Sequence, residues 1–128
     1  MTEPSLAAAL RASAAGFYPF EAACELLIVT CWPARDDFAS FITAGISISD
    51  GTTPMAAVDW AGAISALDAG LLPCAGAERR LLRLAASLGA GVPVDMQDAV
   101  TGLDQANITR VTTAIRHAAG HRQPGRTC

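Results

Sequence analysis

The fold turns on the stretch Pro19-Phe-Glu-Ala-Ala-Cys-Glu-Leu-Leu-Ile-Val-Thr-Cys31. Phe20, Ala23, Cys24, Leu27, Ile28 and Cys31 recur at three- and four-residue intervals, the spacing of one helix face. Pro19 suits a first turn, where its missing N–H costs no intrahelical bond. Leu26 and Val29 carry apolar character beyond that stripe, so this helix is expected either at the centre of the fold or as half of a dimer interface. Cys24 and Cys31, seven apart, fall on its expected core face.

Working outward, Pro4 to Ala15 offers Leu6, Ala9 and Leu10 on one side, with Gly16 placed to end a first helix. After the central helix, Pro33 is a stop and a new start. Asp36 and Asp37 favour the positive end of the dipole, Phe38, Phe41 and Ile42 form a short apolar edge, and Gly45 closes the element. From 46 to 58 the pattern changes: Ile46 and Ile48 alternate with serines, Asp50-Gly51 is a turn pair, and Met55 to Val58 are able to pair back. A short hairpin or an ordered loop is expected there.

Asp59 is an N-cap for a helix containing Trp60, Ala63, Ile64 and Leu67, which Gly70 ends. Gly76 to Leu88 is amphipathic, with Leu81, Leu84, Ala85 and Leu88 opposite Arg79, Arg80 and Arg83. Gly89-Ala-Gly91 and Pro93 read as a break. Asp95 then caps a short helix to Thr101, and Asp104 caps a last one with Ile108, Val111, Ile115 and Ala118 on its buried side. The class predicted is all-α: a compact bundle of five or six short helices forming one domain over 1–120, with a disordered tail over 121–128.

Composition excludes more functions than it selects. The chain has 128 residues, which fits one domain, and its apolar content is rich in alanine, which favours helix. A formal charge of −3 argues against a surface given over to nucleic acid or anionic lipid. Every basic residue is arginine, which removes Schiff-base lysines and phosphate-loop lysines. Met1 to Gly16 does not suit a signal peptide, and no apolar run approaches the roughly 18 residues of a membrane span. Scattered cysteines without a Cys-x-x-Cys pair point to reduced thiols in a cytoplasmic protein.

Among candidate sites, Gly102-Leu-Asp-Gln-Ala-Asn-Ile-Thr-Arg-Val111 resembles the turn and recognition-helix half of a bacterial helix-turn-helix. The resemblance implies that Gln105, Asn107, Thr109 and Arg110 face a major groove, and these residue types can read base edges or grip phosphate. The preceding half departs from the pattern, because Asp98 stands where a small residue is expected and Ala99 is one place late. An ordinary helical hairpin accounts for the same residues. Arg79, Arg80 and Arg83 form a second candidate, either a patch for an acidic partner or a solvated face.

Cys74 follows Pro73 near a helix start, where the dipole lowers a thiol pKa, although burial is the commoner fate of a free cysteine. His117 and His121 have i, i+4 spacing but lack further ligands and are expected as exposed C-terminal histidines, so no metal site is expected. Glu21 and Glu25 share a face without the Glu-x-x-His companion of a di-iron site. Gly45-Ile-Ser-Ile-Ser49 lacks the last glycine of a nucleophile elbow. No catalytic residue and no cofactor are expected.

Tyr18-Pro-Phe-Glu-Ala-Ala23, Leu72-Pro-Cys74, Glu78 to Leu88, Gly91-Val-Pro-Val-Asp95 and Gly102-Leu-Asp104 together resemble a group of uncharacterised small helical proteins from high-GC actinobacteria. That resemblance implies a small cytoplasmic protein and carries over no activity and no site residue. The function expected is a non-enzymatic interaction module that binds another protein, or itself, through the apolar second helix or the arginine face. A dimeric DNA-binding regulator using the last two helices is the alternative.

Overall fold

In the computed structural model, which describes residues 3–121, the chain runs α1 (Glu3–Ala14), α2 (Tyr18–Val29), two 3-10 turns (Trp32–Ala34 and Asp36–Phe41), β1 (Ile42–Ile46), β2 (Pro54–Val58), α3 (Trp60–Asp68), α4 (Gly76–Ala90), α5 (Met96–Val100) and α6 (Gln105–Ala118). The architecture is mostly helical with one two-stranded antiparallel sheet, so the all-α expectation is corrected to that extent. The expected tail, apart from its exposed first residue His121, lies outside the described residues.

Helix α2 lies at the centre, packed against α1, α4 and α6. Ala22, Ala23, Leu26 and Leu27 enter a main core with Trp32, Phe38, Trp60 and the leucines of α4, while Cys24 faces a smaller cluster made by Ala9, Leu10, Ala14 and Ala56. Cys31 departs from expectation. Helix α2 ends at Val29, and Cys31 sits beyond it, exposed, with φ +64 in the left-handed conformation that commonly ends helices. Its N–H donates to the Ile28 carbonyl, and the reversal drives Trp32 into the core.

The helix expected from Pro33 to Gly45 is replaced by the two 3-10 turns and β1. Ile42, Thr43 and Ile46 are β-branched and Gly45 weakens a helix, so local preference and pairing with β2 agree on strand. Arg35 holds the turns down. Its guanidinium lies 4.5 Å over the Trp32 ring, donates to Asp37 at 2.9 and 2.8 Å, and donates to the Pro73 carbonyl at 2.6 Å.

The hairpin lies slightly earlier than the sequence suggests. Ile42 pairs with Val58 and Ile46 with Pro54, which places Ile48 in the tip. Helix α4 runs through Gly89 to Ala90 and stops at Gly91, whose φ is +68. Gly89 is required by packing rather than by a turn, because a Cβ there would lie 2.7 Å from Trp60 Cε2 and 2.8 Å from Nε1. On α6 the buried residues are Asn107, Val111 and Ala114, so the face is rotated from the expected one and Ile115 is 47% exposed.

Two outcomes are expected. Gly89→Ala should destabilise by about 1–3 kcal/mol through overpacking, although helix propensity alone favours alanine by about 1 kcal/mol. Adding Trp60→Phe, which removes the clashing atoms, should recover part of the loss in urea denaturation; additive losses would place the strain elsewhere. For Asp37, the Arg35 hydrogen bonds hold its carboxyl below the usual carboxylate range. A depressed folded pKa means stabilisation that is complete above the unfolded value of about 3.9 and lost as pH falls through the folded value. Asp37→Asn should therefore lower Tm at pH 7 and narrow its gap to wild type below about pH 3, as read by thermal melts.

Candidate functional site

The three arginines of α4 do not share one free surface. Arg79 is exposed, but Arg80 Nε donates to the Asp98 carbonyl of α5 at 3.1 Å, and Arg83 forms an ion pair with Asp68 of α3. The polar side of α4 thus braces its neighbours, with Arg79 the one of the three that projects.

In the last two helices, Asp95 accepts from the Gln97 N–H at 3.0 Å and Asp104 from the Asn107 N–H at 2.8 Å, so both N-caps form as expected. Helix α5 is a single short element of five residues. Gln105, Thr109 and Arg110 are exposed, whereas Asn107 is buried and its Oδ1 accepts from Arg110 Nη1 at 2.8 Å. Asn107 and Arg110 line a shallow cleft of about 270 Å³ with Glu78, Leu81, Thr30 and Cys31.

Neither the buried thiol of Cys24 nor the half-buried thiol of Cys74 is activated. Burial pushes Cys24 up to about 12, with the Glu25 charge adding to it. Cys74 is raised as well, first by burial and then by Glu78, against the opposing pull of Arg35 and Arg79. These shifts run opposite to those of a thiolate nucleophile.

A second cleft, of about 200 Å³, is lined by Arg11, Ala14, Ala15, Glu21, Glu25 and His117. Glu21 Oε2 accepts from the Gly16 N–H at 2.8 Å, and its Oε1 lies 2.7 Å from His117 Nε2. Both side chains are largely buried, at 13% and 16% exposure, which corrects the expectation of an exposed His117. Glu25 pairs with Arg11 through two contacts of 2.7 and 3.1 Å. Among the described residues the lining carries no hydroxyl or thiol beside the acid and imidazole. Glu21 and His117 stand 96 positions apart, so no local spacing could reveal them.

The remaining feature is the outer edge of β1. Asp59 N–H donates to the Phe41 carbonyl and Ser47 N–H to the Thr53 carbonyl, which fixes the alternation: Thr43 and Gly45 face their β2 partners, and Ile42, Ala44 and Ile46 direct main-chain groups outward. The Ile42 N–H closes back on Ala39. Among the described residues nothing pairs with the N–H groups of Ala44 and Ile46 or the carbonyls of Ile42, Ala44 and Ile46. Ile46 is 62% exposed on this edge, and from Phe38 to Ser49 no residue is charged. On β2, Pro54 stands opposite Ile46 in an outward position, where its missing N–H costs no ladder bond.

No protein-family model, curated protein or solved structure matches the chain. Among the described residues no group of three His, Cys, Asp or Glu side chains is placed to hold a metal ion, and no helix is long and apolar enough to cross a membrane.

The Glu21–His117 contact should behave as a structural clasp between α2 and α6. Glu21→Ala removes the acceptor for Gly16 and the partner of a largely buried imidazole, at a cost of about 1–3 kcal/mol. Combining it with His117→Ala in urea titrations should lose less than the sum of the two single changes; strict additivity would show that the pair contributes no coupling.

Proposed function

We propose that the chain is a non-enzymatic interaction module that receives an extended strand on the open edge of β1. The observation that carries this is the set of unpaired main-chain groups at Ile42, Ala44 and Ile46, flanked by exposed apolar side chains and by no charge. Proteins ordinarily protect such an edge with lysine, proline, a bulge or a covering element, and an edge left open is a template for another chain.

The two surfaces expected from sequence have other engagements. The apolar side of α2 lies in the core, and Arg80 and Arg83 hold α5 and α3. Arg79 remains available as a flanking charge for an acidic partner. A cytoplasmic setting belongs to the same proposal, supported by free thiols at Cys24, Cys31 and Cys74.

DNA binding by α5 and α6 is the second reading. Exposed Gln105, Thr109 and Arg110 support it, while the burial of Asn107 and the net charge of −3 weigh against it.

The test is capture of tagged protein from its own cells, with and without nuclease, comparing wild type with Ile46→Lys, Arg79→Glu and Arg110→Ala. Loss of a nuclease-resistant partner in Ile46→Lys alone is expected. A partner retained by Ile46→Lys and lost in Arg79→Glu would move the site to α4, and nuclease-sensitive recovery lost in Arg110→Ala would favour the DNA reading.

A further inference from the structure

We propose that the strand received by β1 is the β1 of a second copy of this chain, paired antiparallel about a two-fold axis at Ala44; this rests on the open edge being the interaction site. The alternation of the hairpin places Ile42, Ala44 and Ile46 outward together. Antiparallel pairing centred on Ala44 sets Ala44 opposite Ala44 of the second copy, and Ile46 opposite its Ile42. The Ala44 N–H then meets the facing Ala44 carbonyl in both directions, and each Ile46 N–H meets the facing Ile42 carbonyl. The Ile42 N–H is already held by Ala39, so the facing Ile46 carbonyl gains no donor in the seam.

Side chains agree with this register. Opposed residues of antiparallel strands share one face of the sheet, so exposed Ile46 of one copy covers Ile42 of the other. Ile42 packs against both apolar clusters, which makes the seam continuous with the core. The opposite face carries Thr43, Gly45 and Ser47, small or polar residues suited to water. Charge permits the contact as well: each copy carries −3, but the seam brings no charged side chain of β1 against another.

The other edge explains why pairing closes. Helix α1 packs against β2 and Pro54 removes one outward donor there, which favours addition at β1 and a four-stranded sheet ending at a β2 on each side, while the outward N–H groups of Ala56 and Val58 have no hydrogen-bond partner among the described residues. A five-residue seam runs about 17 Å. So short a seam buries less than the roughly 800 Å² per partner of a tight complex. The dimer is therefore weak, forming as concentration rises.

The test combines mass with register. Sedimentation equilibrium of the full chain across a concentration series should move from monomer to dimer mass. Ile46→Lys, an exposed position where folding is preserved and checked by circular dichroism, should weaken the dimer by about tenfold or more. For register, Cys31, Cys74 and Cys128 are replaced by serine, and Thr43→Cys or Gly45→Cys is added. Space is open for the second, since a Cβ at Gly45 meets nothing within 4 Å. Positions 43 and 45 face one another across the proposed seam at the close spacing that suits a disulfide. Mixed oxidised samples should therefore cross-link Thr43→Cys to Gly45→Cys, and each alone should not. A monomer at every concentration overturns the self-pairing; if Ile46→Lys still loses a cellular partner, the edge itself stands. A dimer that survives Ile46→Lys without the mixed cross-link overturns the self-pairing and, when cellular partners survive too, the edge.

Discussion

A helix that buries residues around much of its circumference must be enclosed from several sides, and α2 sets that requirement for this chain. Ala22, Ala23, Cys24, Leu26 and Leu27 are all buried. Answering them takes α4 and α6 on the main-core side and α1 with β2 behind Cys24. Small residues make the enclosure possible: Ala22 and Ala23 meet a helix that itself buries Ala85 and Ala86, so the apolar surface is covered without large side chains. The charged residues of α2 are consequently confined to its margins, where Glu25 meets Arg11 and Glu21 meets His117.

That enclosure also dictates how the chain leaves α2. Tight packing requires a sharp exit, supplied by the left-handed Cys31 and anchored by Trp32, whose indole N–H donates to the Glu78 carbonyl at 3.2 Å. Arg35 then ties the 3-10 turns to the segment before α4 through Pro73. With this corner fixed, the chain reaches the hairpin from the core side at Phe38 and Phe41. Strand β2 falls under α1, and β1 is left outermost.

Much of the helical framework was legible because its signals are local. Asp59, Asp95 and Asp104 are caps by residue type and position, and each accepts the expected main-chain bond. Gly70 and Gly91 end helices with positive φ. What failed was governed by tertiary contacts. Gly89 looks like a breaker until Trp60 is seen to occupy the space of its side chain, and the stretch after Pro33 follows helical spacing until β2 offers a partner. The candidate sites divide along the same line. The types of Arg80, Arg83, Asn107 and His117 were readable, but their partners, Asp98, Asp68, Arg110 and Glu21, depend on how the helices pack. The alternation of Ile46 and Ile48 with serines pointed to a hairpin or loop from residue 46, whereas β1 is Ile42–Ile46 and Ile48 lies in the tip; the outward groups of β1 are identified by the paired structure.

The identity of that edge depends in turn on the hairpin tip. A slip of one residue in a two-stranded pair would turn Ile42, Ala44 and Ile46 to the other face and exchange their outward main-chain groups for those of Thr43 and Gly45. Asp50 resists such a slip. Its carboxylate accepts from the N–H groups of Thr52 and Thr53, each at 2.9 Å, and from the Thr53 hydroxyl, and these bonds lower its pKa to about 2. Gly51, at φ +69, donates to the Ser47 carbonyl and completes the turn. The tip therefore fixes the register from one end and the Asp59 bond to Phe41 fixes it from the other. Between these two clamps, which groups meet an incoming strand is determined by the hairpin itself, and the partner need supply only a complementary edge.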